Sequence, residues 1–198
     1  MVDRSDAQLL HAATTGDDDA FSVFFRRHVD AVTRYALRRC AGPEDVGDLV
    51  GECFLIALQA ADRYRPETET ALPWLFGIAR RLVARQRRRH ASGRRLFLKA
   101  SNVFPRFTEC EADAVASALD AARQRPALEA ALARLSPSER EVLEIVAYDG
   151  LSPTEAAITL GITPNAARLR LSRARKTVKF ALAADAAIAI DAEATYAL

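Results

Sequence analysis

The sequence predicts an all-α protein made of two small helical domains joined by a linker. Strong helix formers such as Ala, Leu, Arg and Glu are abundant, whereas β-branched residues are sparse and scattered. Apolar residues recur with the three- and four-residue spacing of amphipathic helices, and Ser-Pro and Thr-Pro pairs mark several helix starts. The 198 residues are enough for two domains of about 70–90 residues each.

Two helices are predicted at the start of the chain. The first begins near Ser5 and ends at Gly16, because glycine commonly terminates helices. The acids at 17–19 then supply an N-cap and favourable first-turn charge for the second helix. His28 lies on the apolar side of this helix and is expected to be a packed core residue rather than a ligand. The apolar face comprises Phe21, Phe24, Phe25, Val32, Tyr35 and Ala36.

A third helix begins at Pro43, with acids in its first turn. Its apolar stripe comprises Val46, Leu49, Val50, Cys53, Phe54, Ala57 and Leu58. A second, polar face comprises Asp45, Asp48, Glu52 and Gln59. Periodicity alone leaves open whether this polar face is only solvated or binds a partner. The aperiodic segment 62–70 predicts a loop, and a fourth helix begins near Pro73.

Positive charge is concentrated in two segments that contain no acid, although the net charge is only +2. The first segment, 73–99, carries Arg80, Arg81, Arg85, Arg87, Arg88, Arg89, Arg94, Arg95 and Lys99. The second segment, 162–179, carries Arg168, Arg170, Arg173, Arg175, Lys176 and Lys179. Solvated helix faces normally mix both signs of charge. The two segments therefore predict two contacts with a polyanion such as nucleic acid.

We divide the chain into a first domain at 1–90, a linker at 91–125, a second domain at 126–180 and a tail at 181–198. The linker region loses helical regularity. The tail is rich in Ala but interrupted by acids, and we expect a short helix or a frayed end. In the second domain, four helices are predicted to start near Pro126, Ser136, Ser152 and Thr163.

The second domain reads as a four-helix domain with a helix-turn-helix. Capping boxes are present at Ser136-Pro137-Ser138-Glu139 and at Ser152-Pro153-Thr154-Glu155. The helix that starts at Ser152 is about two turns long and ends at Gly161. A three-residue break then leads into a longer basic helix, which is the helix-turn-helix pattern.

The last helix of this domain has an apolar back and a cationic front. At 100° per residue, the back comprises Ala167, Leu171, Ala174 and Val178. The front comprises Asn165, Leu169, Ser172 and Lys176, flanked by Arg168 and Arg173. Arginine commonly reads guanine edges, and other cations such as Arg170 would bind phosphate. The alternative is an amphipathic helix that packs on another protein.

The sequence gives little support for a disulfide-bonded, metal-binding, secreted, membrane-spanning or catalytic protein. Cys40, Cys53 and Cys110 form neither a disulfide framework nor a metal-ligand pattern, so we expect a reducing cytoplasm, no metal and no cofactor. The first residues lack the apolar core typical of a signal peptide, so we expect none, and we expect no membrane span because no apolar run is long enough. The sequence shows no motif typical of a catalytic site or a phosphate-binding loop. An enzyme is therefore not predicted.

Three stretches, residues 43–54, 74–80 and 161–175, together resemble the extracytoplasmic-function (ECF) class of bacterial RNA polymerase sigma factors. The resemblance implies that the first domain binds core RNA polymerase and the single-stranded −10 promoter element. The second domain would bind the duplex −35 element. It also implies a non-enzymatic role in promoter recognition and DNA melting, with an anti-sigma factor as a further partner.

The resemblance assigns three sets of contact residues. Contacts with the clamp of the largest polymerase subunit fall on Asp45, Asp48, Leu49, Glu52 and Gln59. Contacts with the −10 element, where a flipped base would be captured by the 62–72 loop, fall on Tyr64, Arg65, Trp74, Arg80, Arg81, Arg85 and Arg88. Contacts with the −35 element fall on Asn165, Arg168, Leu169, Arg170, Ser172, Arg173 and Lys176.

Two positions depart from the family pattern. Arg81 replaces the usual Asn of the −10 helix, and Leu169 stands where a small polar residue is common.

Two other functions are alternatives to a sigma factor. A stand-alone helix-turn-helix regulator gives no role to the first domain, and a protein-interaction module does not account for the cations in the two acid-free segments.

Overall fold

The structure is a computed structural model that describes residues 4–94 and 127–196. Every regular element within these two ranges is helical, which confirms the all-α prediction for the described parts of the chain. The helices are α1 (Asp6–Thr14), α2 (Asp18–Leu37), α3 (Pro43–Gln59), α4 (Leu72–Arg94), α5 (Pro137–Ala147), α6 (Pro153–Leu160) and α7 (Pro164–Tyr196). A 3-10 turn at Ala61–Arg63 follows α3, and residues 127–133 are helical. Most of the predicted linker, together with Arg95 and Lys99, lies outside the described residues.

The helices form two compact units. Within the described residues, the first unit contains 4–94 and 155–162, and the second contains 127–154 and 163–196. The first unit thus holds the acidic face of α3 and the basic end of α4. The second holds the basic face of α7.

Both ends of α1 are closed by hydrogen bonds that the local sequence specifies. Ser5 and Gln8 form a capping box, in which each side chain accepts a hydrogen bond from the backbone amide of the other residue. At the other end Gly16 adopts φ +97°, and the amide of Asp17 donates to the Ala12 carbonyl at 3.1 Å. This left-handed closure confirms that Gly16 ends the helix.

Aromatic side chains of α2 form much of the core of the first unit. The rings of Phe24 and Phe54 meet edge to face with centroids 6.3 Å apart, and Tyr35 stacks on Phe76 at 4.8 Å. Both α2 residues in these pairs are buried, as predicted. Phe25 is instead 36% exposed, because it lies at the edge of the buried face and reaches Phe54 from the side.

The buried face of α3 is narrower than predicted. Leu49, Cys53 and Ala57 are buried, whereas Leu58 is 40% exposed. Leu58 projects about 140° away from Cys53 around the helix axis, so it lies outside the strip that contacts α2 and α4. Burial raises the pKa of the Cys53 thiol to about 12, which fits the predicted core thiol.

A buried carboxylate joins α1, α2 and the segment before α4. The side chain of Asp6, in α1, is almost fully buried, and its two oxygens lie within hydrogen-bond distance of groups from α2 and from the segment before α4. Oδ1 accepts from the Arg27 guanidinium at 2.7 Å. Oδ2 lies 2.9 Å from His28 Nε2 and accepts from the Ala71 amide at 2.7 Å and the Thr70 hydroxyl at 3.4 Å. We call these five residues the Asp6 cluster.

The hydrogen bonds of the cluster outweigh the cost of burying the charge. Burial by itself raises the pKa of Asp6. The hydrogen bonds from His28 and the Ala71 amide, together with the charge of His28 and the Arg27 hydrogen bond, lower it to about 2. Asp6 is therefore ionised throughout the neutral range, and His28 is a satisfied core residue as predicted.

The second unit is organised by α5 and α7, which pack against each other. Ser136 and Glu139 form the predicted capping box at the start of α5, with hydrogen bonds of 3.3 and 3.1 Å. Val142 and Ile145 of α5 are fully buried. The backbone of α7 continues without a break to Tyr196, so the residues from 181 to 196 extend this helix.

We predict a pH-dependent contribution of Asp6 to stability. Its folded pKa of about 2 lies below the reference value of 3.8, so the contribution is fully present above pH 3.8 and is lost as pH falls toward 2. Between pH 5 and pH 3 the wild type should lose about 1 kcal/mol of unfolding free energy more than Asp6→Asn. Urea denaturation followed by circular dichroism at each pH measures this difference. If the unfolding free energies of the wild type and Asp6→Asn fell in parallel as pH is lowered, the low pKa assigned to Asp6 would be wrong.

Candidate nucleic-acid interface

The turn between α6 and α7 has the predicted length and closure. Gly161 adopts φ +64°, and the amide of Ile162 donates to the Ala157 carbonyl at 3.0 Å, which ends α6. The Thr163 hydroxyl accepts from the Ala166 amide at 3.2 Å and caps α7. The short helix, the three-residue break and the longer basic helix are therefore all present in the backbone.

The two faces of α7 separate as the helical projection predicted. Ala167, Leu171 and Ala174 are buried, and Val178 is half-buried. On the front, Leu169 is 49% exposed and Arg170 is half-buried at the side. The remaining predicted front residues are exposed: Asn165, Arg168, Ser172, Arg173 and Lys176. The described part of α7 from 164 to 183 contains no acid, so this face presents cations, the polar side chains of Asn165 and Ser172, and the exposed Leu169, but no negative charge.

A second basic surface surrounds α4 and the loop before it. Tyr64 and Trp74 are half-buried, and their ring centroids lie 4.8 Å apart with the planes tilted by 49°. Arg65, Arg81 and Arg88 are exposed, whereas Arg80 and Arg85 are half-buried. All seven residues predicted for the −10 contact thus retain accessible surface in the first unit. An aromatic pair beside cations is a combination that suits unstacked bases and phosphates.

The basic end of α4 packs against α3. Leu82 and Val83 are buried, and Gln86 donates to the Asp45 backbone carbonyl at 3.1 Å. Arg85 forms an ion pair with Glu52. The arginine-rich turns therefore remain docked on α3, through polar contacts that replace an apolar seam.

These polar contacts connect residues assigned to two different partners. Arg85 was predicted to bind DNA and Glu52 to bind polymerase, yet they pair with each other across the α3–α4 contact. His90 likewise lies 3.4 Å from the Asp45 carboxylate. The sequence did not reveal these pairs, because the residues are 33 and 45 positions apart along the chain.

Among the α3 residues that the resemblance assigned to polymerase contact, one is buried in the structure. Asp48 and Gln59 are exposed, and Asp45 and Glu52 are half-buried. Leu49 is only 1% exposed, so its side chain belongs to the core and cannot form part of a contact surface. It lies on the buried side of α3, where the apolar stripe had already placed it.

Leu55 is the residue of this surface that the prediction missed. It is 60% exposed and falls on the same side of α3 as Asp48 and Gln59. The spacing of seven residues from Asp48 and four from Gln59 was a signal available in the sequence. An exposed leucine among acids gives the face an apolar contact in addition to its charge.

Within the ranges 4–94 and 127–196, no group of three or more His, Cys, Asp or Glu side chains could hold a metal ion. Nor does any described helix combine the length and apolarity that crossing a membrane requires. Cys40 and Cys53 are free thiols, and Cys110 lies outside the described residues.

Comparison with known proteins matches both units to one family. Sigma-70 region 2 matches residues 24–93, and sigma-70 region 4 matches residues 125–178. The RNA polymerase sigma factor NccH of Alcaligenes xylosoxydans xylosoxydans is 30% identical over 88% of this chain and 94% of its own length. The chain belongs to the RNA polymerase sigma factor family. It is therefore a transcription-initiation protein with regions 2 and 4 in the family order.

Other relatives are consistent with the ECF class of this sigma factor. The ECF RNA polymerase sigma factor BldN of Streptomyces coelicolor is 30% identical over 90% of the chain, which spans only 66% of BldN. The solved structure of CnrH in complex with the cytosolic domain of CnrY has 27% identity and a TM-score of 0.60. That match covers 92% of this chain and 99% of the CnrH chain. CnrH is a sigma factor of Cupriavidus metallidurans.

Proposed function

We propose that this sigma factor binds core RNA polymerase through α3, single-stranded −10 DNA through the 62–72 loop and α4, and duplex −35 DNA through α7. The observation that supports this most strongly is the presence of two basic segments that contain no acid, 73–99 and 162–179, one in each matched region. A stand-alone helix-turn-helix regulator would need only the second segment. It would leave the exposed acids of α3 and the aromatic pair of the first unit without a role.

At the −35 element, the exposed front of α7 provides the base contacts. Arg168 and Arg173 are suited to the two acceptors of a guanine edge, and Leu169 is suited to a thymine methyl group. Asn165 and Ser172 add hydrogen-bonding groups for base edges or phosphate. Lys176 and Arg170, further around the helix, bind phosphate and set the register of the helix in the groove. Because Leu169 replaces a small polar residue common in the family, the preferred −35 sequence differs accordingly.

At the −10 element, the sigma factor stabilises DNA that has already opened. An extruded base stacks near Tyr64 and Trp74, while cations along α4 hold the strand backbone. Stacking and edge contacts recover the few kcal/mol that extrusion costs. Arg81, in place of the family Asn, contributes charge to this surface. No bond is made or broken, so the sigma factor acts by binding and is not itself an enzyme.

The polymerase clamp binds the face of α3 that carries Asp48, Leu55 and Gln59, with Asp45 and Glu52 beside it. Glu52 is shared between this face and Arg85, so polymerase and DNA compete with the internal ion pair. We place the protein in the cytoplasm, where core polymerase and promoter DNA are found. An anti-sigma factor that covers these surfaces is part of the proposal, in line with the CnrH–CnrY complex.

The proposed function is tested by co-purification with core RNA polymerase and run-off transcription from the region upstream of the gene. Binding with new, promoter-dependent transcripts is the expected result. Failure to bind core enzyme, together with tight binding to free duplex DNA, would instead favour a stand-alone regulator.

We predict that Asp48→Arg weakens core polymerase binding by roughly 10-fold or more, because the reversed charge faces the same partner surface. Asp48 is the best position for this test, since reversing the charge of Glu52 would also place a second cation beside Arg85. The matched control is Asp30→Arg, which makes the same change at an exposed position of α2. Equal core affinity of the two variants would remove Asp48 from the docking surface.

We predict that Arg168→Ala costs roughly 1–3 kcal/mol at one base pair of the −35 element and relaxes selectivity there. Holoenzyme affinity is measured on duplexes that carry each base at each −35 position. Arg34→Ala, an exposed arginine of α2 outside both basic surfaces, controls for the loss of charge. A uniform loss on every duplex would identify Arg168 as a phosphate contact.

A further inference from the structure

The end of the 62–72 loop is fixed by the Asp6 cluster. Ala71, the last residue before α4, is fully buried and donates its amide to Asp6 at 2.7 Å. Thr70 donates its hydroxyl to the same oxygen at 3.4 Å. The segment that leads into α4 is thus tied to the first residue of α1, 65 positions earlier in the sequence.

The carboxylate that holds the loop is itself held from the opposite side. Arg27 binds one Asp6 oxygen at 2.7 Å, and His28 lies 2.9 Å from the other. His28 is 2% exposed and packs against the ring of Phe24 with centroids 4.8 Å apart. Because both oxygens are occupied and the imidazole is packed in the core, Asp6 presents a fixed acceptor to the loop.

The Thr70 hydroxyl extends the cluster into the start of α4. It accepts from the Leu72 amide at 3.3 Å while it donates to Asp6. The Thr68 hydroxyl donates to the Thr70 carbonyl at 2.7 Å. Trp74 lies in the first turn of this helix, so the direction of the helix start determines the position of the indole.

Tyr64, near the start of the loop, packs against Trp74 of α4. Their ring centroids lie 4.8 Å apart. Burial raises the pKa of the Tyr64 hydroxyl, and the charges of Asp6 and Glu67 raise it further. The Asp6 cluster thus holds the exit of the loop, and Tyr64 is connected to that end of the loop through its contact with Trp74.

From this geometry we infer that Asp6 is a positioning residue for −10 recognition, holding Thr70 and Ala71 so that Tyr64 and Trp74 face an extruded promoter base. The inference rests on the proposed role of the 62–72 loop in binding single-stranded DNA. Asp6 does not contact DNA in this scheme, and it acts only through the loop. Buried charges contribute little net stability compared with apolar packing, whereas they specify geometry strongly when every hydrogen bond is satisfied.

The test measures base discrimination rather than affinity alone. Full-length sigma factor in complex with core polymerase is titrated with labelled single-stranded −10 oligonucleotides whose sequence comes from a promoter mapped by run-off transcription. The wild type should prefer the native −10 base over a substituted base by roughly 10-fold or more. Asp6→Asn and Thr70→Val should each reduce this ratio at least several-fold, while core affinity stays at the wild-type value. Thr70→Ser restores a hydroxyl and should restore the ratio.

Matched controls separate positioning from loss of structure. Thr14→Val removes an exposed hydroxyl whose 2.7 Å hydrogen bond to the His11 carbonyl lies in α1, and it should leave the ratio unchanged. A purely structural role would lower the affinity for all oligonucleotides together and leave their ratio as in the wild type. If Asp6→Asn does not fold, Thr70→Val and its Ser rescue decide the question.

The outcomes also separate this inference from the proposed function. A wild type that discriminates, with variants that discriminate equally well, overturns the role of Asp6 and leaves the loop as the −10 site. A wild type that shows no discrimination between bases overturns both. Loss of discrimination in the two variants, with rescue by Thr70→Ser, supports the inference.

Discussion

The buried negative charge of Asp6 constrains the first unit, because its hydrogen bonds join three segments of the chain. The carboxylate of Asp6 is nearly inaccessible to water, so every hydrogen bond it has lost to solvent must be replaced by protein groups. Those groups come from α2 and from the segment before α4. Satisfying the charge therefore fixes three chain segments relative to one another, including the one that leads to Trp74.

The same unit solves a second electrostatic problem at the α3–α4 contact. Closely spaced arginine side chains at the end of a helix repel one another unless acids lie nearby or a polyanion binds. Here α3 supplies the acids, through the Glu52–Arg85 and Asp45–His90 pairs. Each pair is partly exposed, so solvent screens it and a stronger external partner can replace it. The internal pairs hold α4 against α3, and because they are weak, a polyanion can replace the acids as the partner of the α4 cations.

In the second unit, α7 separates a buried back from a cationic front. Small buried residues on the back of α7, among them Ala167 and Ala174, leave room for close packing with α5. Most cations of the α7 front are exposed, so their charges stay hydrated. The two surfaces thus differ: the front of α7 is largely exposed to solvent, whereas part of the α4 surface is paired with acids of α3. This difference fits the proposal that the two regions bind different forms of promoter DNA.

Local spacing along the sequence was enough to predict the helices and the outward face of α7. The capping box at Ser136, the stop at Gly161 and the buried position of His28 were all predictable in this way. Only the tertiary structure decided which polar residues meet: the ligands of Asp6 and the partner of Arg85 come from distant positions in the chain. The tertiary structure also determined that Leu49 is buried and Leu55 is exposed. Whether a leucine on α3 is buried depends on the width of the strip that α2 and α4 cover. Periodicity gives the direction of a side chain, but burial and pairing depend on what the fold brings opposite it.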